Sequence, residues 1–139
     1  MKNLFAGLFG KKEPKPAAPG GDGAGQLRRY LEENLPESYV KSKQYAVDIT
    51  ERTGTYTAHI VLDMLADGSD YSNFGPEDYF MLPQLEGGYV LGRISKPPVP
   101  LSGYTLEMRF GGETVLVETD AGLDAGTITY RGERREAAF

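Results

Sequence analysis

The sequence holds one histidine and no cysteine, so acid–base or metal chemistry would have to be built from His59, carboxylates and hydroxyls. If the chain folds back at Thr53-Gly54, His59 comes to lie across from Asp48. A carboxylate beside an imidazole is the orienting half of an acid–base site. The nearest hydroxyls on that face belong to Thr50 and Thr57, and neither occupies the strained turn that exposes a nucleophile. The plainer reading is a cross-strand pair on a solvated face. A single imidazole and no thiolate give no zinc set. No catalytic residue, metal or cofactor is assigned.

The second place for chemistry is the acidic, aromatic stretch from Asp67 to Tyr79 (DGSDYSNFGPEDY). Asp67, Ser69, Asp70 and Asn73 are oxygen donors on a turn, but the calcium loop of an EF-hand requires a glycine at its sixth position and a glutamate at its twelfth. Here Gly68 is second and Asp78 twelfth, so a turn held by side-chain hydrogen bonds is expected instead. Paired carboxylates for glycoside hydrolysis would need two of Asp67, Asp70, Glu77 and Asp78 at a set separation beside a sugar cleft, and the chain has no Trp to supply a platform. Tyr71, Phe74 and Tyr79 beside Asp70, Glu77 and Asp78 have the composition of a recognition surface, since tyrosine offers large contact area at small entropic cost. These six residues are the candidate binding set. The alternative is that the aromatics plug the end of a barrel.

The elements that must carry these residues are read mainly as strands. From Tyr45 to Ala66 the chain alternates, with Tyr45, Val47 and Ile49 opposite Leu62, Ile60 and Ala58 on a face that must be buried. A second hairpin is expected over Tyr104–Phe110 and Glu113–Thr119, turning at Gly111-Gly112, with Leu106 and Met108 facing Val117 and Val115. Phe80–Leu85 and Tyr89–Ser95 read as two strands around Glu86-Gly87-Gly88, with Pro83 marking an edge. Lys96–Pro100 is an extended crossover, Thr127–Arg131 closes the sheet, and the residues from Gly132 fray. Gln26–Leu35 carries Leu27, Leu31 and Leu35 on one helical stripe and is stopped by Pro36. The expected fold is mostly β: a small antiparallel barrel or sandwich of about seven strands with one short N-terminal helix.

Three segments follow from composition: an amphipathic basic segment 1–12, a Pro/Gly linker 13–25, and a single β-rich domain 26–139. Leu4, Phe5, Leu8 and Phe9 share one face if residues 1–12 are helical, and Lys11 and Lys12 follow it. That pattern suits an interfacial anchor for membrane or partner. It is too short to span a bilayer and lacks a cleavage pattern, so a cytoplasmic and membrane-associated location is expected. The first 25 residues balance at +2 and the remainder at −7; an acidic body repels phosphate backbones, which argues against nucleic acid. The function expected is a non-enzymatic adaptor whose acidic β domain binds a protein partner through the Asp67–Tyr79 loop or a sheet edge and is tethered by residues 1–12. Two alternatives stand beside it: a small-ligand barrel or enzyme with its site near Asp48 and His59, and a subunit that self-assembles through sheet edges.

Overall fold

A computed structural model of the protein describes residues 22–65 and 68–139. In chain order the elements are α1 (Gly23–Asn34), α2 (Glu37–Lys41), β1 (Tyr45–Arg52), β2 (Thr55–Asp63), α3 (Asp78–Arg93), β3 (Leu101–Phe110), β4 (Glu113–Thr119), β5 (Ala125–Tyr130) and β6 (Glu133–Ala138). The strands form one open sheet in the order β1-β2-β3-β4-β5-β6, antiparallel throughout except for the parallel pair β2 and β3.

Both expected hairpins form with the registers read from alternation. Val47 lies opposite Ile60 and Asp48 opposite His59; Leu106 lies opposite Val117 and Met108 opposite Val115. Thr53 and Gly54 adopt φ of 55° and 80°, the positive pair that a two-residue I′ turn requires. Arg131 and Gly132, at 50° and 81°, make the same turn between β5 and β6. The sheet residues Ala58, Ile60, Leu62, Leu106, Met108, Val115, Val117, Ile128 and Tyr130 then share one buried face.

That face is covered by helices, which is why the sheet is neither a barrel nor half of a sandwich. Leu27 and Leu31 of α1, Tyr39 of α2 and Tyr79, Phe80, Val90 and Leu91 of α3 complete the same core. One apolar face needs one covering layer. Among the described residues the strand count is six, not the expected seven or so. α1 begins three residues earlier than expected, at Gly23, because Asp22 accepts the Gly25 amide on its Oδ1 at 3.1 Å and caps the first turn.

The region 80–95 corrects the sequence reading most. Phe80–Leu85 and Tyr89–Ser95 are not strands; they belong to α3 and the residues after it. Tyr79, Phe80, Pro83, Gly87, Val90, Leu91 and Ile94 are buried, and three- and four-residue steps are the helical period. Pro83 sits on the buried side. Gly87 is no turn: it is buried within α3, where a Cβ would meet Val117 Cγ1 at 3.5 Å in ordinary contact. Tyr104 pins the end of the helix, its buried hydroxyl donating to the Ile94 carbonyl at 2.9 Å. The final residues are not frayed either. They form β6, held by pairing with β5 and by Arg135, whose guanidinium lies 3.8 Å over the Phe80 ring.

The tightest backbone approach is at Gly126, where a Cβ would fall 2.0 Å from the Glu118 carbonyl oxygen. Gly126→Ala is expected to cost about 1–3 kcal/mol by forcing β4 and β5 apart, whereas Gly112→Ala, with nothing within 4 Å, stays within about 0.5 kcal/mol. Urea unfolding of both variants measures the difference.

Candidate functional site

The far face of the sheet carries His59. β2 presents it across from Asp48, as alternation requires, but its Nε2 lies 2.9 Å from Glu107 Oε1 on the other neighbour, β3. Glu107 also accepts from Arg109 Nε at 2.6 Å on its second oxygen. Burial alone would raise the Glu107 carboxyl, but the hydrogen bonds from Arg109 and His59, with their charges, outweigh it and hold the group below the ordinary carboxylate range. The triad is therefore an ion-pair network in which both carboxylate oxygens are occupied. A shallow hollow of about 220 Å³ beside it is lined by Ala46, Val47, Asp48, His59 and Val61.

The loop before α3 gathers its aromatics and scatters its acids. Tyr71 and Phe74 meet edge to face with centroids 4.9 Å apart, and both pack on Phe110 at 4.9 and 6.3 Å. Tyr79 joins them at 5.2 Å from Phe74 and stacks on Tyr130 at 4.6 Å. Tyr79 is buried, while Tyr71 and Phe74 are half-buried. Asp70 accepts the Ser72 amide at 2.9 Å, the side-chain turn expected from composition, and Asp78 accepts the Gly75 amide at 2.8 Å. Glu77 takes a two-pronged bond from Arg135, 2.8 Å on each oxygen, and that hydrogen bond and the guanidinium charge lower its pKa. Asp67 and the anchor residues Leu4, Phe5, Leu8, Phe9, Lys11 and Lys12 lie outside the described residues.

A polar cavity of about 160 Å³ separates α2, α3 and the outer end of β2, lined by Ser38, Tyr39, Gln44, Asp63, Met64 and Glu86 among others. Tyr39 donates its hydroxyl to Glu86 Oε2 at 2.9 Å. Glu86 thus turns inward from α3, while three large apolar residues turn outward. Met81, Leu85 and Tyr89 are 60%, 68% and 55% exposed. At spacings of four they form one ridge, about 12 Å long at 1.5 Å per residue. Gly88 and Gly92 lie beside it without side chains, and Gln84 is tied to the Ala138 carbonyl at 3.0 Å. This outward face of α3 is the candidate site. The spacing of Met81, Leu85 and Tyr89 was present in the sequence, but a proline and a glycine pair inside the segment made it read as two strands and a turn.

No protein-family model, curated protein or solved structure matches the chain. Among the described residues, no group of three or more metal-ligating side chains is brought together, and no helix is long and apolar enough to cross a membrane. What the geometry offers is an exposed apolar ridge on α3, and on the other side of the sheet the hydrogen-bonded group of His59, Glu107 and Arg109.

The depressed Glu107 pKa has a testable consequence. A carboxyl whose folded pKa lies below its unfolded value contributes stability above the unfolded pKa, near 4.3 for Glu, and loses it as pH falls through the folded pKa. Glu107→Gln is expected to flatten the fall in stability on acidification below about pH 5, measured by urea unfolding at a series of pH values; an unchanged slope would mean that the network is not coupled to folding.

Proposed function

We propose that this protein is a non-enzymatic interaction module that docks a protein partner on the outward face of α3, with residues 1–12 serving as a tether to a membrane or a larger assembly inside the cell. The observation that carries this reading is the Met81, Leu85, Tyr89 ridge. Burying apolar area is worth about 25 cal/mol per Å², and a helix folding for its own sake places such residues inward. On α3 the pattern is inverted at these positions, with Glu86 turned in and Leu85 turned out. Large apolar side chains grouped on one exposed face mark contact sites, whereas scattered ones do not. Helix faces of this kind are read by partners through anchors at i, i+4 and i+8.

The candidate loop set supports docking indirectly. Tyr71, Phe74 and Tyr79 pack among themselves and on Phe110, so the loop fixes the N-terminal end of α3 and keeps the ridge rigid. A preformed surface binds with less ordering cost. The acidic body, −7 outside the first 25 residues, favours protein over nucleic acid as partner.

A photo-crosslinking residue placed at Leu85, in cells producing the chain, is expected to yield a discrete protein adduct, while the same probe at Thr57 on the far face of the sheet yields none. If the Thr57 probe gives the adduct and the Leu85 probe does not, the docking surface is the sheet and this reading falls.

A further inference from the structure

We propose that the partner on this ridge is a second copy of the same chain, paired antiparallel through α3 about a two-fold axis at Leu85. This rests on the docking reading above and names its occupant. The first argument is charge. Glu77 and Asp78 stand at the N-terminal end of α3, and Arg93 and Lys96 at and beyond its C-terminal end; between Asp78 and Arg93 the sole charged residue is Glu86, which faces Tyr39. The face is therefore uncharged in its middle, with Asp78 and the internally paired Glu77 and Arg135 at one end and Arg93 and Lys96 at the other. An antiparallel copy sets the Asp78 end of each helix against the Arg93 end of the other, and the two helix dipoles also oppose.

The second argument is shape. With Leu85 opposite its own copy, Met81 of each helix faces Tyr89 of the other. Beside Met81 lies a hollow of about 220 Å³ with an apolar floor of Phe80, Ile128 and Ala137 and a polar rim of Glu77, Gln84, Arg135 and Glu136. Tyr89, 55% exposed, is the large side chain that the pairing sets opposite it, and its amphipathic ring suits an apolar floor with a polar rim. Knob and hollow sit on one surface two helical turns apart, which is what a two-fold interface requires of a single patch. Gly92, with nothing within 4 Å of a built Cβ, and Gly88, with only Phe139 at 3.9 Å, leave a groove that lets the helices approach. A lipid surface fits less well, because anionic headgroups would meet Glu77 and Asp78 at one end of the ridge and a body of net charge −7 outside the first 25 residues.

The test uses the full chain in sedimentation velocity over a wide concentration range. The native chain is expected to dimerise reversibly. Leu85→Glu, which sets two carboxylates across the axis, is expected to weaken the dimer by more than about a hundredfold, and Tyr89→Ala to weaken it as well; Thr114→Glu, on the far face of the sheet, leaves it unchanged. Since the chain has no cysteine, Leu85→Cys is expected to form a disulfide with its own copy under mild oxidation, and Met81→Cys alone to form it far more slowly. Circular dichroism confirms that each variant is folded. A native chain that stays monomeric throughout, or a dimer that survives Leu85→Glu, overturns the pairing. A monomeric chain whose Leu85 photo-probe still captures a different protein overturns the pairing alone, and a Leu85 probe that captures nothing overturns the docking reading with it.

Discussion

The parallel pairing of β2 and β3 is the constraint on which the rest of the molecule depends. Antiparallel neighbours need only a two-residue turn, but a chain that leaves β2 at Asp63 and enters β3 at Leu101 in the same direction must travel back the length of the sheet. α3 makes that journey. Because it crosses on the apolar side, it lays Val90, Leu91 and Phe80 on β4, β5 and β6, while α1 covers β1. The crossover and the core are thus one solution, and the direction of a single strand pair decides which face of α3 is left to solvent.

An open sheet has two edges, and exposed backbone on an edge invites pairing with another chain. Gln44 accepts the Asp63 amide, so alternate residues of β1, Val47 among them, present their backbone groups away from β2. The Val47 carbonyl accepts from Arg28 of α1 at 3.0 Å. At the other edge the Phe139 amide bonds back to Asp124, leaving Ala138 directed outward, and its carbonyl accepts from Gln84 of α3. Each covering helix therefore sends one side chain over the rim to occupy a carbonyl on the nearer edge. One outward carbonyl on each edge is thereby already taken.

What could be read from the sequence was what local alternation and turn chemistry determine. Thr53-Gly54 and Gly111-Gly112 fixed two registers residue by residue, and the Leu27, Leu31 stripe fixed a helix. α3 was hidden because its breakers act through tertiary packing. Pro83 and Gly87 are buried on the inner side of α3, where Pro83 costs a backbone bond and Gly87 lies next to Val117; nothing local distinguishes that use from a turn. β6 was hidden for a related reason: Glu133, Arg134, Arg135 and Glu136 have no apolar alternation, and the strand is held by Arg135 on Phe80 and Glu77, residues far away in the chain. The candidate loop was legible in composition, since its aromatics do cluster, but which side of them faces solvent depends on Phe110 and Tyr130.

On the docking reading proposed above, the inversion on α3 also separates folding from docking. Leu85 is 68% exposed, so its side chain adds little to the free energy of folding, and Glu86 is held by one hydroxyl in a polar cavity without contributing apolar burial. Leu27 or Ile60, fully buried, answer to the core, and truncating either leaves a cavity. Met81, Leu85 and Tyr89 answer to whatever covers them. A surface built this way changes its affinity by single substitutions while the sheet beneath stays as it is, because the helix is oriented from its other side by Val90, Leu91 and the Tyr104 bond to Ile94.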